Sequence, residues 1–249
     1  MNSGLPSSVR LRLLEFLIQS AHQLQVRPIV KYSALSLFSD RFCPSLSRFR
    51  PSNDMESWLL HPLRESNLQL FSLVSIWISS KIHDSQPLSV KSLKLLGDKM
   101  IKEQHFTTRD FLEAEVLLMQ VLGFEIGTAN IAFKFLEELF VEFEGVARVG
   151  QLVNFEASMD IMDLLYEKEE ASPLYYSPRN LAASILACCY VFEFAAQVWH
   201  FFLLHFFKFV TSCKEEDVLN IVRDILKHIF EPSSSVEELQ ASFGTYPLH

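Results

Sequence analysis

Residues 67–82 read NLQLFSLVSIWISSKI. Leu70, Val74, Trp77 and Ile78 recur at spacings of three and four, the period of one stripe on an α-helix. Ser72, Ser75, Ser79 and Ser80 are small enough to let neighbouring helices approach closely. The segment predicts a helix over about 67–83.

The same period continues on both sides. Downstream, a helix is expected from about Ser89 to Ile101. The next starts at Thr107, with Asp110 three residues on as a capping box. It carries Phe111, Leu118, Met119 and Leu122 and stops at Gly123, a residue suited to the left-handed turn that ends helices. Upstream, Pro44, Pro51 and Pro62, with Ser and Asn among them, mark a loop over 44–62. A loop of about twenty residues is unusual in a compact domain and is often functional. Before it, Pro28 can open a helix carrying Val30, Ala34, Leu37, Phe38 and Phe42. Before that, Val9–Leu24 sets Leu13, Leu14, Leu17, Ile18 and Ala21 on one stripe, after Pro6 and the capping candidates Ser7 and Ser8.

The second half repeats the plan. Helices are expected at about 129–143, 153–168, 178–196, 199–210 and 214–230, with Ser177 and Pro178 a strong start signal. The expected architecture is all-α: five helices in residues 1–126, five in 127–231, and a tail at 232–249.

Composition agrees with a well-cored helical protein. The 249 residues are 49% hydrophobic and 21% charged, with only 7 glycines. Net charge is −8, so the basic footprint of a nucleic-acid binder is missing. Cys43, Cys188, Cys189 and Cys213 show no C-x-x-C spacing and read as buried free thiols of a reducing compartment. Met1–Ser8 lacks a secretory n-region and apolar core. Residues 181–210 are long and apolar enough to raise a membrane span. Glu193, Gln197, His200, His205 and Lys208 interrupt the run, and two buried core helices are the preferred reading.

Four charges stand on or near apolar stripes. Arg10 is in phase with Leu13, Leu14 and Leu17, and Lys81 with Val74, Trp77 and Ile78. Glu115 follows Phe111 by four, and Asp40 lies near the end of the second helix's stripe. A buried charge is costly unless paired, so each wants a partner inside this chain or on another protein. The alternative is that these charges sit at stripe edges and reach water along their stems.

No enzyme motif is present: there is no G-x-G-x-x-G, P-loop, G-x-S-x-G or H-E-x-x-H. His200 and His205, five apart, share no helix face well and are not read as metal ligands. Neither cofactor nor metal is expected.

Taken together these segments resemble the cyclin box. VRLRLLEFL (9–17), SDRF (39–42), NLQLFSLVSIWISSKI (67–82) and DFLEAEVLLMQVLGFEI (110–126) are similar to its first, second, third and fifth helices. Arg10, Asp40, Leu70, Lys81 and Glu115 fill its five signature positions in order, and Phe124–Glu125 matches its closing aromatic–acid pair. The wording looks closest to the plant J-type cyclins. The resemblance implies two cyclin-box domains and a regulatory subunit, without catalytic activity, that binds and activates a cyclin-dependent protein kinase in the cell cycle.

Residue by residue, the resemblance implies that Arg10 and Asp40 form a buried ion pair. Leu70 packs in the core. Lys81 and Glu115 lie side by side and dock the kinase beside its αC helix, which then swings in so that its Glu pairs with the catalytic Lys. The patch by which some cyclins recruit substrates corresponds to Val9, Arg12, Leu13 and Phe16, where Arg12 replaces an apolar residue and weakens the patch. The expected partner is therefore the kinase, with neither nucleic acid nor membrane, in the nucleus or cytoplasm. Two other functions are kept beside this one. One is a non-activating helical scaffold, in its membrane form attached through 181–210. The other is a transcription-type factor of cyclin fold, which the acidic charge and the lack of zinc-ribbon cysteines disfavour.

Overall fold

The computed structural model describes residues 5–46, 48–49, 58–127, 130–146, 154–168, 171, 174–175, 177–194 and 213–230. Every regular element among them is helical. The expected helix at 199–210, the tail 232–249 and the middle of the 44–62 loop lie outside the described residues. The chain divides into two compact units, Met1–Lys134 and Phe135–His249. That division falls within a helix, Ala132–Val146, some eight residues beyond the joint expected at 126.

In the first unit, α1 (Ser7–Gln23) starts directly after Pro6, whose carbonyl accepts from the Val9 and Arg10 amides at 2.9 and 3.0 Å. It buries Leu13, Leu14, Leu17 and Ala21, the expected stripe apart from Ile18, together with Phe16 and Ser20. Pro28 occupies the first position of α2 (Pro28–Leu35). The chain then widens into a π-helical segment, Ser36–Phe42, followed by the short α3 (Cys43–Leu46). Helical structure therefore runs into the stretch expected as loop. The far end of that stretch is also built in, because Leu59 and Leu60 are buried and the Asn67 amide donates to the Leu59 carbonyl at 2.9 Å.

At the centre stands α4 (Glu65–His83). All of its residues from Ser66 to Ser80 except Gln69 are buried, and it packs against α1, α2, the π segment, α5 (Val90–Met100) and α6 (Thr108–Val121). So wide a burial would strand the serine hydroxyls. Ser72, Ser75 and Ser80 instead donate back to the carbonyls of Gln69, Phe71 and Trp77 at 2.7, 2.9 and 2.7 Å. Phe71 meets Phe42 at 4.8 Å between ring centroids, and Tyr32 stacks on Phe133 at 4.9 Å. The expected capping box is present: Thr107 Oγ1 accepts from the Asp110 amide, and Asp110 accepts from the Thr107 amide.

In the second unit, α7 (Ala132–Val146) continues into α8 (Phe155–Glu167), α9 (Pro178–Phe194) and α10 (Glu215–Phe230). Asn154 caps α8 by accepting from the Glu156 and Ala157 amides. Helix α9 lies against α8 and α10 through the buried Ala182, Ala183, Ser184, Cys188 and Cys189. Ser184 donates to the Val218 carbonyl at 3.3 Å. Burial pushes the Cys188 thiol up to about 12. Helix α9 covers only the first part of the apolar run 181–210, and no helix among the described residues is long and apolar enough to cross a membrane.

Candidate functional site

The last turn of α4 and the middle of α6 bring two opposite charges together. Lys81 Nζ lies 2.6 Å from Glu115 Oε1, with the side chains 38% and 21% exposed. The pair therefore sits at the rim of the core, where it holds its geometry and still meets solvent. Beneath it lies Trp77, one turn back on α4, with Lys81 Nζ 3.6 Å from the ring centroid. Trp77 is itself fixed, because its indole N–H donates to the Leu88 carbonyl at 2.9 Å. Each charge stands on its helix's apolar stripe, as the spacing implies. Each is also at the edge of that stripe, so the two readings of the sequence meet in one rim pair.

Large apolar side chains are exposed on the same two helices and just beyond α6. Ile82 follows Lys81 and is 46% exposed, while Leu112 and Val116 flank Glu115 on α6 and are 49% and 52% exposed. Phe124, just past the end of α6, is 64% exposed. Leu70, by contrast, is fully buried in α4 and acts on this surface only by packing the helix that carries Lys81. The sequence pattern marks Lys81, Glu115 and Leu70. It gives no sign of these exposed apolar side chains, because residues off the stripe look alike until the helices are packed.

Arg10 and Asp40 lie near enough for the charge of Arg10 to act on the Asp40 carboxyl. Arg10 is half-buried and donates to Ser39 Oγ at 3.2 Å, and Asp40 is exposed. Leu37 and Phe42, on either side of Asp40 in the π segment, are buried. Asp40 nonetheless lies with its carboxyl against the fold. Burial raises its pKa, opposed by hydrogen bonding to Ser36, the positive charge of Arg10 and hydrogen bonding to Ser39. The residue keeps exposed surface while its carboxyl faces Arg10 and the two serines.

The four substrate-patch positions separate. Leu13 and Phe16 are 1% and 7% exposed and belong to the core, leaving Val9 and Arg12 nearer the surface. Arg12 forms a two-pronged bond to Glu65 at the start of α4, Nε–Oε1 at 2.9 Å and Nη2–Oε2 at 2.6 Å. A charged fork thus occupies the ground where an apolar groove would need to open. No group of side chains suited to a metal ion occurs among the described residues.

Sequence comparison decides the family. The model of the cyclin N-terminal domain matches residues 2–127, the span that holds the Lys81–Glu115 rim. The chain belongs to the cyclin family. Cyclin-J18 of Arabidopsis thaliana is 55% identical over 226 residues, covering 91% of this cyclin and 97% of the relative. Cyclin-J18-like of Oryza sativa subsp. japonica is 49% identical over 231 residues, covering 90% and 88%. This cyclin is therefore similar to plant J-type members over most of its length. A viral cyclin from herpesvirus saimiri shares the fold, with a TM-score of 0.67 over 92% of this cyclin and 87% of that chain at 16% identity. The role that follows from membership is that of a cyclin-type regulatory protein.

Proposed function

We propose that this cyclin binds and activates a cyclin-dependent protein kinase through the face that carries Lys81 and Glu115. The observation behind the proposal is the rim pair itself. It is a preformed, half-open couple of donor and acceptor on a fixed tryptophan, with Ile82, Leu112, Val116 and Phe124 exposed on or just beyond the same two helices. A surface of this kind suits a helix and the backbone beside it. The exposed apolar side chains supply buried area, and Lys81 and Glu115 can satisfy main-chain carbonyls and amides that docking desolvates. If the bound element is the kinase's αC helix, docking favours the state in which that helix is turned inward. The cyclin then shifts an equilibrium and supplies no reacting group. The meeting place would be the nucleus or cytoplasm.

The test is co-purification with a panel of cyclin-dependent kinases, followed by histone phosphorylation by any complex retained. Activity lost in the Lys81→Ala/Glu115→Ala double variant, with its helical circular-dichroism signal intact, is the expected result. Failure to retain any kinase overturns the proposal.

A further inference from the structure

Helix α6 ends in a turn whose geometry is only half explained by its own sequence. The Gly123 amide donates to the Gln120 carbonyl at 3.0 Å, and the Phe124 amide donates to the Met119 carbonyl at 2.8 Å. This paired bonding is the Schellman motif, and it needs a left-handed residue at its glycine, which Gly123 supplies at φ 61°. It makes no such demand on the next residue. Phe124 nevertheless also has φ 62°, a conformation that is strained for a side chain with a Cβ and persists only where surroundings impose it. Its ring gains little in return from burial, being 64% exposed.

The backbone just beyond Phe124 is held by Arg41, in the π segment 83 positions earlier in the chain. Its Nη1 donates to the Gly127 carbonyl at 2.9 Å and its Nη2 donates to the Glu125 carbonyl. One planar guanidinium thus ties down two carbonyls of the strand that leaves the turn, a fork geometry that lysine cannot reproduce.

We propose that Arg41 is a positioning residue for partner docking: by holding the Glu125–Gly127 backbone it keeps the ring of Phe124 presented beyond the end of α6. The inference rests on the docking reading above. Arg41 itself need touch no partner. Its contribution is to fix in advance a conformation that Phe124 would otherwise leave, so that no affinity is lost in ordering it on binding.

The test uses the full-length protein with Arg41→Ala, Arg41→Lys, Phe124→Ala and the Arg41→Ala/Phe124→Ala double variant. Amide hydrogen exchange at residues 123–127 should rise at least about tenfold in Arg41→Ala, while exchange in α4 stays as in the wild type. Affinity for the cyclin-dependent kinase retained from the panel should fall about tenfold in both single alanine variants and recover in part in Arg41→Lys. The double variant should bind about as weakly as Phe124→Ala alone, because both changes remove one feature. Unchanged exchange at 123–127 overturns the clamp. Faster exchange with undiminished affinity in Arg41→Ala, where Phe124→Ala still weakens binding, overturns the positioning role. Retention of no kinase overturns the docking reading and with it that role, while the exchange result still decides whether Arg41 holds the turn.

Discussion

Lys81 and Glu115 are the residues for which stability and partner binding should separate most clearly. Their contact is part-exposed, and such a pair adds only about 0.2–1 kcal/mol to stability. Replacing either by Ala is therefore expected to leave the melting temperature within a few degrees of wild type, while kinase affinity falls about tenfold or more. Calorimetric titration beside thermal denaturation checks this, and unfolding of both variants would show the pair to be structural. His83, two residues on, governs a different property. Its pKa is lowered first by burial and then by the charge of Arg27, with Asp84 raising it and Lys134 lowering it further. A folded-state value below the unfolded one means that protonation favours unfolding. The stability tied to His83 is present above its unfolded value of about 6.5 and is lost as pH falls from there through the lower folded-state value. Because Ser33 Oγ lies 2.9 Å from His83 Nε2, His83→Gln keeps a polar partner for Ser33 without the titration. The drop in melting temperature between pH 7.5 and 5.5 should be smaller in that variant. These roles differ in how visible they are from sequence. Lys81 and Glu115 announce themselves as charges on apolar stripes, whereas His83 and Arg41 gain their partners from residues fifty or more positions away.

At the level of elements, local chemistry carries most of the helix boundaries. Pro28, Ser89, Thr107, Asn154 and Gly123 all stand at or beside observed ends, since capping and left-handed turns depend on near neighbours alone. Thr107 offers the cleanest measure. Its hydroxyl and the Asp110 carboxylate satisfy backbone amides that α6 would otherwise leave bare. Thr107→Ala should cost about 1 kcal/mol and lower the melting temperature by several degrees, visible in a thermal scan. Because Glu115 lies about two turns beyond the cap, binding should be affected less than stability. The π segment is what local rules miss. An α-period places Asp40 on the buried stripe, and nothing in SDRF announces the wider turn. It is imposed by long-range packing, with Leu37, Phe38 and Phe42 all buried and Phe42 against Phe71 of α4. Within this segment Asp40 lies with its carboxyl against the fold, where the charge of Arg10 acts on it, and at the substrate patch Leu13 and Phe16 serve the core.

For the whole molecule, the division of the chain carries its own consequence. Lys81, Glu115, Leu112, Val116, Phe124 and Arg41 all belong to the unit Met1–Lys134. That unit has a core of its own around α4, and it closes on Phe133, which is 1% exposed and stacked on Tyr32. A chain cut at 126, at the joint the sequence suggests, would leave Tyr32 without that ring and open a cavity worth about 3–5 kcal/mol. A chain cut after Lys134 keeps it. Residues 1–134 are therefore expected to unfold cooperatively on their own, and residues 1–126 to be markedly less stable, as circular dichroism against denaturant would show. Phe133→Ala in the longer fragment should reproduce the weakness of the shorter one. If the docking face is complete within the first unit, residues 1–134 should also hold the kinase within about threefold of the full chain's affinity. A cooperatively folded fragment that fails to bind would place part of the docking surface beyond Lys134.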